Sequence, residues 1–172
     1  MAEVKKLKEE NKVIQHEAAN LLRQVIDVKA DVKAIQEQRN KSVMFMAHFS
    51  TNQTNVRNDT ALVFDKAELN VGHAYNKASG KFVAPMLGVY MFHSQIQGHN
   101  DGVVYVRMRK NGEDVAEIYT AKDDGKRDES GSTHALLLLG TGDEVWMQRA
   151  GDADSYYGNF RSHFTGYMLK AL

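Results

Sequence analysis

The sequence predicts an α-helical coiled coil followed by an all-β jelly-roll sandwich of about ten antiparallel strands. Residues 1–41 contain no glycine or proline and repeat apolar side chains at helical spacing, whereas all 13 glycines and the only proline come after residue 71. From residue 42 onward apolar and polar residues alternate, which is the period of a half-buried strand. This change predicts two domains, a helix over 1–41 and a β-sheet head over 42–172.

The helical segment follows a heptad repeat over about five repeats. Its apolar stripe is narrow, so we expect it to pack on partner helices rather than fold back on its own head. Asn11 at an a position favours one register, and the mixture of Val, Ile and Leu is compatible with two or three helices. The predicted coiled-coil core consists of Val4, Asn11, Ala18, Val25 and Val32 at a, and Leu7, Ile14, Leu21, Val28 and Ile35 at d.

The pattern of the head segment predicts a series of strands separated by turns. Its first strand is predicted by the alternating stretch SVMFMAHFS. Asn111 and Gly112 tolerate a positive φ and predict a tight hairpin. Gly142 and Asp143 predict a second strand pair, and an apolar strand that starts at His163 ends the chain. Such regular short strands favour an antiparallel sandwich or barrel.

The composition excludes several classes of partner and chemistry. The formal net charge is zero, which gives no electrostatic reason to expect nucleic acid or an anionic membrane surface as a partner. The absence of cysteine excludes disulfides and thiolate metal sites. Without a run of about 18 apolar residues we expect no membrane insertion. The first ten residues lack a signal-peptide pattern, so the chain is either intracellular or has lost a leader.

No set of residues predicts catalysis. A nucleophile elbow of the form G-x-S-x-G is absent from the sequence. His16 and Glu17 lack the second histidine of a zinc-protease motif. The stretch GTGDEV has two glycines between predicted strands, which indicates a turn rather than a nucleotide-binding loop. We therefore expect a protein that is not an enzyme.

Aromatic residues and glycine recur at fixed distances in the first half of the head, at Phe64, Asn70, Tyr75, Phe82, Gly88, Tyr90 and Phe92. This spacing resembles the signature of the globular-head domain of complement component 1q, in the superfamily shared with tumour necrosis factor. The resemblance extends over 42–172, with Phe164 and Gly166 in a similar closing strand. Ser94 stands where the family signature ends in another aromatic residue, which predicts one altered core contact.

The resemblance implies a homotrimer whose heads pack around a threefold axis. The heptads would then form a three-stranded stalk, in the place that a collagen stalk takes in many relatives. Coiled-coil members of this kind are frequent among secreted, lectin-like defence proteins of invertebrates. Several family heads also bind calcium near the apex of the trimer.

Two groups of residues are candidates for binding a carbohydrate, because they combine aromatic rings with polar groups. Arginine is a good partner for a carboxylate such as that of sialic acid. The alternative is a loop at the edge of the trimer with packed tyrosines. The first group is Tyr156, Tyr157, Asn159 and Arg161, and the second is Asp101 and Arg107.

Acidic loops and histidines are candidates for binding metal ions. Carboxylates in flexible loops suit calcium, although the spacing is not that of an EF-hand and such loops are often merely solvated. The calcium candidates are Asp123, Asp124, Asp128, Asp152 and Asp154. Strand histidines can meet in space, so His93, His134 and His163 are conceivable ligands of a transition metal, the alternative being single histidines on polar faces.

Three Asn-x-Ser/Thr triplets begin at Asn40, Asn52 and Asn58 and favour a secreted glycoprotein. The leading hypothesis is a secreted, non-enzymatic, lectin-like recognition protein of innate immunity. Its trimeric head would bind surface glycans, sialylated or microbial. The alternatives are a protein-receptor ligand of cytokine or synaptic-organiser type, and a metal-binding protein of a body fluid that uses His and Asp.

Overall fold

The computed structural model describes residues 1–40, 42–99, 103–120 and 129–172, and for 37–40 the backbone only. The chain forms two compact units, Met1–Lys41 and Ser42–Leu172. The first contains a single helix, α1 (Ala2–Asn40), 39 residues long. At 1.5 Å per residue the helix spans about 58 Å.

The apolar heptad positions of α1 are exposed in a single chain. From Val4 to Ile35 the large apolar side chains at positions a and d keep between 47% and 64% of their surface. A helix with such a stripe gains stability when partner helices cover the stripe. The single chain thus leaves the stripe open to other copies.

The described part of the head contains ten strands in two five-stranded antiparallel sheets. The first sheet has the order β2-β1-β10-β5-β8 and the second the order β3-β4-β9-β6-β7. The strands are β1 (Met44–His48), β2 (Lys66–Val71), β3 (Tyr75–Asn76), β4 (Lys81–Val83), β5 (Gly88–Gln97), β6 (Tyr105–Lys110), β7 (Glu113–Tyr119), β8 (Ser130–Leu139), β9 (Glu144–Arg149) and β10 (His163–Ala171). This is the predicted jelly-roll sandwich, with a long helix ahead of it.

Aromatic rings from the facing sides of the two sheets form the core. Phe45 lies at the centre, with its ring centroid 4.6 Å from that of Tyr75 and 5.0 Å from that of Phe164. Phe82 of the second sheet contacts Phe92 of the first at 5.1 Å. The spaced aromatic residues of the sequence are therefore core residues, and they join the two sheets.

Asn70 has a different role in the same motif, because it closes the turn between β2 and β3. Its Nδ2 donates to the carbonyl oxygen of Tyr75 at 2.8 Å, and its Oδ1 accepts from the Tyr75 backbone N–H at 3.2 Å. The Tyr75 hydroxyl then donates to the carbonyl oxygen of Phe64 at 3.0 Å. The side chain of Asn70 thus satisfies backbone groups that no strand partner reaches.

Ser94, where the family signature has an aromatic residue, is fully buried in β5. Its hydroxyl donates to the carbonyl oxygen of His163 on the neighbouring strand β10 at 2.9 Å. The altered contact is therefore a hydrogen bond between two strands of the same sheet, and the hydroxyl is satisfied.

One of the two predicted hairpins is present and the other is not. Asn111 and Gly112, with φ values of 51° and 94°, form the tight turn that connects β6 to its partner strand β7. At Gly142 the chain instead crosses from the first sheet to the second, because β8 pairs with β5 whereas β9 pairs with β4 and β6. Alternation in sequence specifies the buried face of a strand and leaves its partner undetermined.

Gly166 provides a test of the core, because a Cβ added there would lie 2.6 Å from ring atoms of both Phe45 and Phe92. We expect Gly166→Ala to lower the free energy of unfolding of the head by about 1–3 kcal/mol, the usual cost of overpacking. At Gly140 the nearest atom would be Asp143 Oδ2 at 3.9 Å, so Gly140→Ala is the matched control with little effect. Urea unfolding followed by Trp146 fluorescence measures both, and equal midpoints would contradict this account of the core.

Candidate functional site

Three side chains meet at the end of the head where β5 finishes and β10 begins. The guanidinium carbon of Arg161 lies 4.7 Å from the ring centroid of Tyr157. The ring of His99 meets the same tyrosine edge-on, with centroids 4.5 Å apart. Arg161 is exposed and Tyr157 is half-buried. We call Tyr157, Arg161 and His99 the Tyr157 cluster.

The segment that carries Arg161 is held in an unusual backbone conformation. Asn159 and Phe160 have positive φ values of 52° and 70°, which is uncommon for residues other than glycine. The N–H of Asn159 donates to the carbonyl oxygen of Phe49 at 3.0 Å, and the ring of Phe160 lies 4.0 Å from that of His48. Several contacts thus enforce a strained turn, which is a feature of ligand-binding loops.

Neighbouring loops hold the base of the same turn. The N–H of Gly158 donates to Oδ1 of Asn52 at 3.0 Å, and the N–H of Tyr157 donates to the carbonyl oxygen of Gln97 at 3.0 Å. The buried Ser162 accepts the N–H of Gln97 at 3.0 Å through its hydroxyl. Segments distant in sequence therefore fix the position from which Arg161 extends.

Tyr156, predicted as a ligand residue, lies in the core instead. It is fully buried, and its hydroxyl donates to the carbonyl oxygen of Ala153 at 2.8 Å. Burial also raises the pKa of the Tyr156 hydroxyl, so it stays protonated. Neighbouring residues of an extended segment point to opposite sides. Tyr156 therefore points into the core, and only Tyr157 is part of the candidate site.

Of the second candidate group, Asp101 lies outside the described residues. Arg107 lies on the outer face of the second sheet, where its Nε donates to the Tyr105 hydroxyl at 3.2 Å. The same nitrogen lies 3.4 Å from Asp114 Oδ2, and the guanidinium carbon is 4.9 Å from the Tyr105 ring centroid. Arg107 is thus part of a paired cluster on the face of a sheet.

The calcium candidates are described only in part, because Asp123, Asp124 and Asp128 lie outside the described residues. Asp152 is exposed, and Asp154 Oδ1 accepts a hydrogen bond from the Ser155 hydroxyl at 2.8 Å. In the described ranges, no three His, Asp or Glu side chains are grouped to hold a metal ion.

Four histidines lie on the outer face of the first sheet, on four successive strands. His48 is the cross-strand partner of His163, and His93 is the partner of His134. The rings of His93 and His163, which occupy diagonal positions on β5 and β10, are 5.5 Å apart. Burial lowers the pKa of His93, and positive charge on His163 and His134 lowers it further. We call His93, His134 and His163 the imidazole cluster.

Beside the histidines, part of this outer face is apolar. One row of cross-strand neighbours runs across all five strands of the sheet. Its residue on β5 is Met91, two residues before His93. Within that row Tyr167 and Leu136 keep 45% and 62% of their surface, and Leu138 beyond it keeps 58%. Large exposed apolar patches are typical of surfaces that associate with another molecule. The row is Val71, Met44, Tyr167, Met91 and Leu136.

The glycosylation candidates lie in different settings. The side chain of Asn40 is outside the described part of the chain. Asn52 and Asn58 are exposed, and the Thr60 hydroxyl of the last triplet donates to the carbonyl oxygen of Arg57 at 2.7 Å. Asn52 contacts Gly158 through its Oδ1 and not through the amide nitrogen that would carry a glycan.

Three residues at this end of the head were not predicted from the sequence as site residues: His99, Phe160 and His48. Phe160 is exposed by 53% and covers His48, which is 2% exposed and contacts Glu68 Oε1 through Nε2 at 3.0 Å. These residues are far apart along the chain. No local pattern marks them, because only the docking of loops onto strand ends brings them together.

Comparison with known proteins decides the family. A profile of the C1q domain matches residues 44–169, which is most of the chain. The chain belongs to the C1q-domain family. Complement C1q tumor necrosis factor-related protein 3 of Homo sapiens is 35% identical over 130 residues, covering 74% of this chain and 51% of that protein. The chain thus spans about half the length of the curated relatives it matches first.

Other similar proteins include a metal-binding protein and two solved structures. The heavy metal-binding protein HIP of Mytilus edulis is 29% identical over 149 residues, covering 84% of this C1q-domain chain and 68% of that protein. The globular domain of zebrafish complement 1qA superposes with a TM-score of 0.64 at 15% identity, covering 76% of this chain and 99% of that one. The Eiger TNF of S. frugiperda superposes with a TM-score of 0.61 at 16% identity, covering 76% of this chain and 93% of that one. The two structures show a shared fold.

Membership of the C1q-domain family confirms the prediction that this domain is non-enzymatic. Proteins of this family are typically homotrimeric and usually secreted. Among the described residues, no helix has the length and apolar character needed to cross a membrane.

Proposed function

We propose that this C1q-domain protein is a secreted recognition protein of innate immunity that binds acidic surface glycans through the Tyr157 cluster. The observation that carries the proposal is the exposed Arg161 packed over the Tyr157 ring at 4.7 Å. A tyrosine ring stacks on the apolar face of a sugar, and a guanidinium binds a carboxylate with two parallel hydrogen bonds. The fixed turn at Asn159 and Phe160 orders Arg161 before the ligand arrives, which lowers the entropy cost of binding.

We extend the proposal to a homotrimer that presents three such sites. Two observations support it: the exposed heptad stripe of α1 and the exposed apolar row on the first sheet. The stalk holds copies at high effective concentration, so the apolar face of each head is covered by another copy. Three weak sites on one particle then bind a repetitive surface with high avidity.

Calcium and glycosylation complete the proposal. The carboxylates of the acidic loops would supply the hard oxygen ligands that calcium takes in proteins. A glycan on Asn52 would stand beside Gly158, at the base of the turn that carries Arg161. The calcium ligands would come from Asp123, Asp124, Asp128, Asp152 and Asp154.

The glycan proposal is tested on an array of sialylated, neutral and microbial glycans, with and without a calcium chelator. We expect Arg161→Ala to lower the affinity for carboxylated glycans about tenfold or more, because a charge-assisted hydrogen bond is lost. Arg107→Ala removes the same charge from the face of the second sheet and is the matched control. Absence of glycan binding in both conditions would refute the proposal.

Capture of one cell-surface receptor, unaffected by free sugar, would support the receptor-ligand alternative instead.

The assembly is tested by light scattering of the intact chain, for which we expect three times the chain mass of 19.3 kDa. Val25→Glu places three carboxylates in the predicted stalk core and should weaken the assembly without unfolding the head. Ile26→Glu changes the adjacent exposed residue outside the a and d stripe and is the control. A monomeric parent protein at micromolar concentration would contradict the proposed trimer.

A second candidate function is binding of a transition metal ion. Two observations favour it: the 5.5 Å separation of the His93 and His163 rings, and the similarity to the heavy metal-binding protein HIP of Mytilus edulis. Neutral imidazoles are common ligands of zinc and copper.

Calorimetric titration of the intact protein with zinc tests this candidate. We expect stoichiometric binding that His163→Gln abolishes, because one of two adjacent imidazoles is lost. His73→Asn is the control, since His73 is exposed with a φ of 52°, which asparagine tolerates. Equal zinc binding by both variants, or none by the parent, would exclude the cluster as a metal site.

A further inference from the structure

The turn that carries Arg161 exposes a second aromatic side chain, that of Phe160. Phe160 keeps 53% of its surface, whereas Tyr157 is half-buried. The Phe160 ring lies against the ring of His48, with centroids 4.0 Å apart and planes inclined by 32°. It therefore has a support inside the head and a surface open to solvent, next in the chain to the guanidinium on which the glycan proposal depends.

The backbone of this turn suits glycine better than phenylalanine. The N–H of Arg161 donates to the carbonyl oxygen of Gly158 at 3.2 Å, which closes a four-residue turn around Asn159 and Phe160. These two central residues have φ values of 52° and 70°. Positive φ at both central positions is the pattern of a type I′ turn, in which Asn followed by Gly is preferred. A bulky residue with a Cβ is uncommon at such a φ and is strained there.

The head contains the preferred version of the same turn at another place. Asn111 and Gly112, between β6 and β7, have φ values of 51° and 94°. Glycine thus stands where the turn only connects two strands, and phenylalanine stands beside Arg161. Because about half of Phe160 is exposed, burial within the chain recovers only part of the cost of its conformation. An aromatic ring kept exposed on a strained backbone indicates contact with another molecule.

We propose that Phe160 binds the acyl group of an N-acylated acidic sugar whose carboxylate binds Arg161. The proposal rests on the acidic-glycan function proposed above and names the class of sugar that the Tyr157 cluster binds. Consecutive Cα atoms are about 3.8 Å apart, so one sugar unit reaches both side chains. The methyl of an N-acetyl group packs on the phenyl ring. Its amide pairs with the side-chain amide of the exposed Asn159, which has both a donor and an acceptor.

The test compares two polymers that carry the same carboxylate, applied to the intact protein. One displays N-acetylneuraminic acid, and the other displays the analogue in which a hydroxyl group replaces the acetamido group. Binding of each polymer to the immobilised protein is measured at equal sugar density, with calcium present. We expect the parent protein to bind the acetylated polymer about tenfold more tightly, which is the lower end of the discrimination that one apolar carbon group gives in an apolar site.

Two variants remove the ring, Phe160→Gly and Phe160→Ala. Both should abolish the preference and leave binding of the hydroxyl analogue unchanged, because Arg161 is retained. Phe160→Gly should also unfold at a higher urea concentration than Phe160→Ala, since only glycine adopts this φ without strain. Tyr119→Ala removes a ring that is 64% exposed on the second sheet, and this matched control should keep the preference. Arg161→Ala should weaken binding of both polymers.

The remaining outcomes separate the acyl contact from the glycan function. Equal binding of the two polymers by the parent protein would overturn the role of Phe160 and leave the acidic-glycan function standing. Absence of binding to either polymer would overturn the acyl contact, and the glycan array then decides the glycan function by itself. A preference that persists in both Phe160 variants would exclude this side chain as its cause. A Phe160→Gly protein no more stable than Phe160→Ala would contradict the strain from which the contact is inferred.

Discussion

The packing of aromatic rings between the two sheets is the constraint on which the rest of the head depends. Phe45 contacts rings from both sheets, and Gly166 leaves the space into which the rings of Phe45 and Phe92 fit. Because side chains alternate along a strand, each ring that points inward sends its neighbours outward. The core therefore determines which strand residues form the outer faces of the two sheets.

The outer face of the first sheet shows this dependence most clearly. Phe92 and Ser94 point into the sandwich, so His93 points out, and the same holds for His163 beside Phe164. The pairing of β10 with β5 and of β5 with β8 then gathers three histidines that are 29 to 70 residues apart in sequence. Their neighbours include exposed apolar residues of the same strands, so the imidazoles and the apolar row lie on one surface.

The proposed glycan site depends on the loops rather than on the core. The turn at Asn159 and Phe160 is held by hydrogen bonds to the chain at Phe49 and at Asn52, and by the ring of His48. A strained turn of this kind persists because surrounding contacts enforce it. Arg161 consequently stands on a rigid base, although it belongs to a connecting segment.

The long helix, the sandwich and the buried role of the spaced aromatic residues could be predicted from the sequence alone, because hydrophobic period and side-chain alternation are local properties. It also identified Tyr157 and Arg161 as candidates from their chemistry. Only the tertiary structure separated Tyr157 from the buried Tyr156 and added His99. It also placed β8 and β9 in different sheets and brought four histidines together on the outer face of the first sheet. These features depend on strand partners and loop contacts, and pairing across a sheet leaves no mark on the residues nearby in sequence.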